Sequence, residues 1–126
     1  MYFKNKKVLI TGGTGSLGQK LINRLKSLGA KLIVFSRDEG KQASLFGQDH
    51  SITRVIGDVR DYQKLDTTLL NHEPDYVIHA AALKRIDDME MHPDECIKTN
   101  VLGSENVARA SLSNNIIKCI FKIHLK

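Results

Sequence analysis

TGGTGSLG, at residues 11–18, is a glycine-rich turn that follows the apolar run KVLIT at residues 7–11 and opens an amphipathic stretch. Its glycines satisfy two spacings at once, G-x-x-G-x-x-G from Gly12 and G-x-G-x-x-G from Gly13. In such a turn the first glycine permits the bend off a strand. A middle glycine lets a pyrophosphate approach the backbone, and the last lets helix and strand pack closely. The turn therefore predicts a dinucleotide site on the N–H groups of the following helix, with a ligand-free glycine turn as the alternative. No Gly-Lys-Ser/Thr follows, which excludes a Walker phosphate loop.

Short apolar runs alternate with amphipathic stretches along the whole chain, which predicts β-α-β units and a parallel sheet. Strands are expected at residues 7–11, 31–36, 52–56, 76–82 and 116–123. A short helix is expected over residues 41–46. The apolar positions expected to face the core from the other helices are Leu17, Leu21, Ile22, Leu25 and Leu28; Tyr62, Leu65, Leu69 and Leu70; and Ile97, Val101, Ala108 and Leu112. The last of these helices is expected to begin at Pro93 and to end at residues 114–115. The predicted fold is α/β, a Rossmann-type doubly wound parallel sheet of about five strands with flanking helices, in one domain over residues 1–126.

Composition limits the other classes of function. The net charge of +5 comes from scattered Lys and Arg, and aromatic residues make up only 6%, so no nucleic-acid partner is predicted. An anionic small ligand or ordinary solvated charge explains the excess equally well. No apolar run approaches the roughly 20 residues of a membrane span, and no secretory signal is recognised. A cytoplasmic protein is expected, with Cys96 and Cys119 as reduced thiols. No metal site is predicted, because His92 and Cys96 would supply only two ligands.

The end of the second predicted strand bears on the choice between NADP and NAD. An NAD site usually has an acidic residue there for the ribose 2′-hydroxyl. This chain has Ser36-Arg37, followed by Asp38. A serine and a guanidinium suit a 2′-phosphate, which favours NADP. Asp38 in the ribose role, with NAD, is the alternative, and Arg37 could also be an exposed loop charge.

Two further strand ends carry candidate cofactor contacts. Asp58 and Val59 follow the third strand, where an adenine would lie, and Asp58 could accept from the adenine amino group or be a solvated turn residue. Ala80, Ala81 and Ala82 end the fourth strand, where small side chains would let a nicotinamide ribose lie close or would simply pack tightly.

Five stretches together carry a family resemblance: TGGTGSLG (11–18), FSRDE (35–39), GDVRD (57–61), HAAALKRID (79–87) and HPDECIKTNVLGSENV (92–107). The chain resembles, over about residues 6–121, the extended short-chain dehydrogenase/reductase superfamily. More narrowly, it resembles the CapD-like nucleotide-sugar 4,6-dehydratases and epimerases of bacterial polysaccharide and flagellin-glycan synthesis. The resemblance implies NADP(H), or NAD(H) in relatives, as the cofactor and a UDP-N-acetylhexosamine as the substrate. The particular sugar nucleotide, and dehydration or epimerisation as the outcome, stay open.

The resemblance also implies the cofactor-binding residues, position by position. The pyrophosphate would contact Gly12, Gly15, Ser16, Leu17 and Gly18; the 2′-phosphate Ser36 and Arg37, with help from Lys41; the adenine Asp58 and Val59; and the nicotinamide side Ala80, Ala81 and Ala82. Lys84 would meet cofactor or sugar phosphates, or be a solvated lysine. Asn100 would fix the loop after the fourth strand, or be purely structural.

The residues that such enzymes use for chemistry are not found in this sequence. The resemblance implies a Ser-Thr-Asp-Lys-type segment and a Tyr-x-x-x-Lys pair whose tyrosinate takes the sugar hydroxyl proton. The pair formed by Tyr2 and Lys6 precedes the first strand and is attributed to chance, so no catalytic residue is predicted. We expect a domain truncated before the C-terminal substrate lobe and inactive alone. The alternative is a stand-alone NADP-binding or regulatory module that pairs with a full-length relative, or with itself, through an exposed sheet edge.

Overall fold

Strands and helices alternate along the chain in the computed structural model, which describes residues 3–80 and 102–116 in full and residues 118–121 as backbone. The elements are β1 (Lys7–Thr11), α1 (Ser16–Ser27), β2 (Lys31–Ser36), α2 (Glu39–Phe46), β3 (Ile52–Ile56), α3 (Tyr62–His72), β4 (Tyr76–His79), α4 (Gly103–Ser113) and β5 (Lys118–Phe121). The first three predicted strands have the predicted bounds.

The five strands form one parallel sheet in the order β3-β2-β1-β4-β5. The chain moves outward from β1 to β3, and then returns to the other side of β1 as β4. The strand order therefore reverses between β1 and β4, and in open α/β sheets ligands bind outside the carboxyl ends of the strands at such a point. The predicted Rossmann-type fold is confirmed.

Helices cover both faces of the sheet, as a doubly wound fold requires. Alternate residues of β1 point to opposite faces, so Val8 and Ile10 belong to one apolar cluster and Leu9 to the other. The first cluster includes residues of α1 and α2: Ile22, Leu25 and Phe46. The second includes residues of α3 and α4: Leu65, Leu69, Val107 and Ala110. Both layers converge on β1, whose position in the centre of the sheet fixes the turn that follows it.

Two predicted core positions are wrong. Leu70 is 63% exposed and Leu112 is 82% exposed. Residues of an α-helix are about 100° apart around its axis, so Leu70 lies beyond the buried Leu69, and Leu112 lies about 200° from the buried Ala110. The buried side of α4 consists of small, polar and aliphatic residues: Gly103, Asn106, Val107, Ala110 and Ser111. A pattern of large apolar residues could not identify that side.

Some predicted boundaries also differ from the structure. β4 ends at His79 rather than continuing to residue 82, and β5 begins at Lys118 rather than at residue 116. α2 begins at Glu39, before the predicted residue 41, because Asp38 caps it. The predicted start of the last helix at Pro93, its residues Ile97 and Val101, and the end of β5 at residues 122–123 lie outside the described residues. Among the described helices, none is long and apolar enough to cross a membrane.

Candidate functional site

The turn after β1 is built on the left-handed conformation of Gly12, whose φ is 71°. Residues with a Cβ rarely adopt this conformation, so glycine is required there. The Gly12 N–H donates to the carbonyl of Phe35 at 3.1 Å, and the Gly15 N–H donates to the carbonyl of Gly12 at 3.2 Å. These bonds tie the turn to the end of β2 and close it immediately before α1.

Gly18 is required by packing against backbone atoms, and Gly13 lies close to side chains of the core. A Cβ on Gly18 would lie 2.7 Å from Cα of Gly13, and a Cβ on Gly13 would lie 2.8 Å from Cδ1 of Ile22. Such separations are too short for real Cβ contacts. α1 therefore packs against the turn at a distance that only glycines permit, which agrees with the role predicted for the last glycine of the motif.

Gly15 differs from its neighbours because neither the backbone nor the packing of the chain requires a glycine there. Its φ is −73°, and a Cβ would lie 3.7 Å from the nearest heavy atom, an ordinary contact distance. Gly15 is exposed and is the N-cap of α1. A glycine in this position leaves open space directly above the start of the helix, where a ligand could approach the backbone.

The first turn of α1 has the features of an anion-binding helix N-terminus. No side chain caps it, and it contains no acidic residue. Its first intrahelical donor is Gln19, whose N–H bonds the carbonyl of Gly15 at 2.9 Å. The N–H groups of Ser16, Leu17 and Gly18 lie before that donor, and such groups have no acceptor within a helix. Together with the helix dipole, these N–H groups could hold a phosphate at the carboxyl end of β1.

Ser36, at the end of β2, is oriented by Gln42 of α2, a residue that no sequence motif indicates. Gln42 is fully buried, and its Nε2 donates to Oγ of Ser36 at 2.7 Å and to the carbonyl of Val55 at 3.0 Å. An accepted hydrogen bond leaves the Ser36 hydroxyl proton available for a second acceptor. This end of β2 can therefore donate to an oxygen of a bound ligand.

Asp38, the alternative ribose-binding residue, is the N-cap of α2. Its Oδ1 accepts from the backbone N–H of Lys41 at 2.8 Å. One carboxylate oxygen is thus already used by the helix. Lys41 lies in the first turn of α2 and is exposed.

Asp58 lies between two arginines at the ends of β2 and β3. Arg60 donates from Nε and Nη2 to Oδ2 at 3.1 Å and 2.9 Å, and its backbone N–H donates to Oδ1 at 2.9 Å. Arg37 Nη1 lies 3.8 Å from the same Oδ2. Partial burial opposes ionisation of Asp58, but the hydrogen bonds and charge of Arg60, with Arg37 adding a smaller effect, hold its pKa below the ordinary value of 3.8.

The loop that contains Asp58 and Val59 is fixed from α4. Nδ2 of Asn106 donates to the carbonyls of Val59 at 2.9 Å and Arg60 at 3.0 Å. A Cβ on Gly103 would lie 2.6 Å from Cγ2 of Val59, so α4 packs closely on this loop. Neither α4 residue is predicted from the sequence, because an Asn and a Gly in a helix carry no apolar signal.

Ala80 and His79 bring the end of β4 to the same edge. The Ala80 N–H donates to the carbonyl of Thr11 at 3.1 Å, and Ala80 is buried. His79 Nδ1 forms a 2.6 Å hydrogen bond with Oγ1 of Thr11, and burial lowers the pKa of His79 to about 4. The histidine is therefore neutral at pH 7. Ala81, Ala82, Lys84 and Asn100 lie outside the described residues.

The sequence-predicted residues that the structure describes thus converge on the carboxyl ends of β1, β2, β3 and β4. This edge offers backbone donors for a pyrophosphate, a serine and an arginine beside them, and an ionised aspartate on the outer side. Such an arrangement can bind an elongated anionic ligand. In the described part of the chain, no group of three or more His, Cys, Asp or Glu side chains is placed to hold a metal ion.

Sequence comparison relates the chain to nucleotide-sugar enzymes. It is 43% identical over 125 residues to a UDP-glucose 4-epimerase of Rickettsia typhi, and 44% identical over 125 residues to a UDP-N-acetylglucosamine 4,6-dehydratase (inverting) of Campylobacter jejuni. Each match covers 94% of this chain and 36% of the relative. The chain therefore spans about a third of the length of these relatives.

Solved structures agree with this relationship. Pen from Bacillus thuringiensis has a TM-score of 0.87 at 36% identity, with 96% of this chain and 38% of that chain covered. The enzyme WbmG of Bordetella bronchiseptica, solved in complex with NAD, has a TM-score of 0.77 at 29% identity, with 94% and 37% covered. The family model described as "Polysaccharide biosynthesis protein" matches residues 8–122. The chain therefore belongs to this family of polysaccharide biosynthesis proteins, among which nucleotide-sugar dehydratases and epimerases are its relatives.

Proposed function

We propose that this chain is the part of a nucleotide-sugar 4,6-dehydratase or epimerase that binds the nicotinamide dinucleotide, with NADP preferred to NAD. The observation that carries the proposal is the open, uncapped start of α1 at the point where the strand order reverses. Gly15 is a glycine that the fold itself does not need. A pyrophosphate bound close to the backbone would explain why a glycine lies at this position.

The preference for NADP rests on the end of β2. The Ser36 hydroxyl and the exposed Arg37 guanidinium can both donate to a 2′-phosphate. Asp38 caps α2, which argues against the ribose-binding role that an NAD site would give it. Lys41 adds a second cation in the first turn of the same helix.

The adenine end is proposed to lie against Asp58 and Val59, whose loop α4 holds in place. The ionised Asp58 carboxylate has acceptor capacity for an amino group, and Val59 offers a buried apolar wall. The nicotinamide is proposed to lie toward Ala80, because this small side chain leaves room for a ligand at the end of β4. When bound, the nicotinamide would exchange a hydride with the sugar.

Turnover of a nucleotide sugar is not expected from residues 1–126 alone. Besides the pair formed by Tyr2 and Lys6, the sequence contains no Tyr-x-x-x-Lys, and it contains no Ser-Thr-Asp-Lys segment. Tyr62 is engaged by Arg109, whose Cζ lies 4.3 Å from the centre of its ring, and Tyr76 is buried at the start of β4. We therefore propose a cofactor-binding role for this part of the enzyme. The cytoplasmic location expected from the sequence stays a prediction.

Titration with NADH and NADPH tests the proposal, with Gly15→Ala as the key variant. A Cβ fits at position 15, and an alanine N-cap should cost only about 1 kcal/mol. The variant should therefore fold and yet bind both dinucleotides about tenfold or more weakly, because the methyl group occupies the phosphate approach. Gly40→Ala is the matched control, since a Cβ there also lies 3.7 Å from its nearest neighbour. It should retain NADH binding. Unchanged binding by Gly15→Ala, or no binding by the natural chain, would refute the pyrophosphate assignment.

A second candidate function is favoured by the sheet edge. Among the described strands, β5 pairs only with β4, and a strand with an open side can add a strand from another chain. A module that pairs with a longer relative would use this edge. Sedimentation of the chain alone and mixed with a full-length relative distinguishes self-association and pairing from a monomer.

A further inference from the structure

The ends of β2 and β3 bring three charges to one point of the surface. They belong to Arg37, Asp58 and Arg60. Both arginines interact with the Asp58 carboxylate, but at different distances. Arg60 reaches it with two guanidinium nitrogens and its own backbone N–H, at 2.9–3.1 Å. Arg37 remains 3.8 Å away, beyond hydrogen-bond distance.

The unequal sharing affects how accessible each cation is. The Arg60 side chain is 29% exposed, against 54% for Arg37. The Arg60 guanidinium thus packs against Asp58, whereas the Arg37 guanidinium lies at the surface with N–H donors that do not contact Asp58. A planar guanidinium presents five N–H donors, so a single long contact leaves Arg37 able to bind a phosphate in a bidentate manner.

We infer that Arg60 is a positioning residue that sets the preference for a 2′-phosphorylated dinucleotide by neutralising Asp58 and limiting Arg37 to a long ion pair with it, without a hydrogen bond. The inference rests on the proposed function, in which Ser36 and Arg37 meet the 2′-phosphate. Arg60 itself needs no contact with that phosphate. The three side chains together carry one net positive charge, and removal of Arg60 leaves none.

The consequence of removing Arg60 follows from Coulomb's law. The uncompensated Asp58 would repel the phosphate, and it would also draw Arg37 from its long ion pair into direct hydrogen bonds with the carboxylate. Both effects weaken NADPH binding and leave NADH binding nearly unchanged, since NADH has no 2′-phosphate. The affinity ratio of NADPH to NADH reports the effect, because losses at the adenine or pyrophosphate cancel in it.

The experiment measures this ratio by titration for the natural chain and four variants. Arg60→Gln should lower it about tenfold, the effect of one unit charge over several ångströms near a protein surface. Arg60→Lys keeps the charge and should retain most of the ratio. Arg24→Gln removes the same charge from the last turn of α1, at the opposite edge of the sheet, and should leave the ratio unchanged.

The double variant Asp58→Asn with Arg60→Gln separates this mechanism from direct contact. If Arg60 acts through Asp58, removal of the carboxylate should restore the ratio toward that of the natural chain. A ratio that stays low in the double variant would mean that Arg60 binds the phosphate itself, which overturns the inference. An unchanged ratio in Arg60→Gln also overturns it. If the natural chain shows no preference for NADPH, the proposed 2′-phosphate site fails first, and the inference fails with it.

Discussion

Asn106 of α4 donates through Nδ2 to the carbonyl oxygen of Val59 at 2.9 Å, which ties a helix to the loop after β3. The same nitrogen donates to the next carbonyl, that of Arg60, at 3.0 Å. Asn106 is buried, so these bonds are shielded from water. The position of the proposed adenine-binding loop therefore depends on a residue far away in sequence.

Asn106→Asp should destabilise the fold. The substitution removes both donors and places a carboxylate against two carbonyl oxygens, which should lower the free energy of unfolding by about 1–3 kcal/mol. Asn71→Asp, at an exposed position in the last turn of α3, makes the same chemical change and should cost less, at most about 1 kcal/mol from the negative charge near the helix C-terminus. Urea denaturation at pH 7 measures both. Equal stability of the two variants would contradict a structural role for Asn106.

Gly18→Ala should also destabilise the fold, for a different reason. The added Cβ would lie 2.7 Å from Cα of Gly13, and the atom that must give way is backbone. We expect a loss of about 1–3 kcal/mol from the resulting overpacking. Gly15→Ala is the matched comparison within the same turn, since a Cβ fits there. Thermal melts of the two variants that coincide would show that the turn can relax around Cβ at position 18.

The sequence predicted the sheet well because its central strands are buried on both faces and stand out as apolar runs. Residues 7–11 and 31–36 are followed by glycines or by a polar loop, and their bounds match the structure. α4 could not be predicted as well. Its buried side contains Gly103 and Asn106, which are chosen by close approach to Val59 rather than by hydrophobicity.

The candidate site shows the same division between local and long-range information. The glycine spacing is local, and it predicted the close packing of the turn after β1 against α1. The contacts that orient its surroundings join residues from different elements, such as Gln42 with Ser36 and Arg60 with Asp58. The identity of Gln42 alone gives no sign that its amide is buried and bonds the end of β2. Such residues are found only once the chain is folded.

Stability should fall as the pH drops from 6.5 toward 4, because His79 is buried and neutral. Its pKa is lowered from 6.5 to about 4, so in this range the unfolded chain binds a proton that the folded chain does not. The contribution of His79 to the free energy of unfolding is fully present above pH 6.5. It decreases by up to about 3 kcal/mol as the pH falls toward 4. Asp58 and Asp49, whose pKa values are lowered from 3.8, lose their contributions only at more acidic pH.

Urea denaturation at several pH values between 7 and 4 checks this prediction. His79→Gln removes the titrating ring and should flatten the dependence of stability on pH, even though its stability at pH 7 is lower. His50→Gln, at an exposed position, should keep the slope of the natural chain. A slope that persists in His79→Gln would assign it to another group.

Leu112→Gln and Val107→Ala test which side of α4 faces the sheet. Leu112 is 82% exposed and Val107 is fully buried, although the spacing of apolar residues predicts Leu112 in the core. A surface substitution changes stability by less than about 0.5 kcal/mol. Loss of two buried methyl groups at Val107 should cost about 2 kcal/mol. Urea denaturation of the two variants at one protein concentration compares them. A larger loss for Leu112→Gln would mean that this side chain is buried after all, either in the core or against a second chain, and repetition at several protein concentrations separates these two cases.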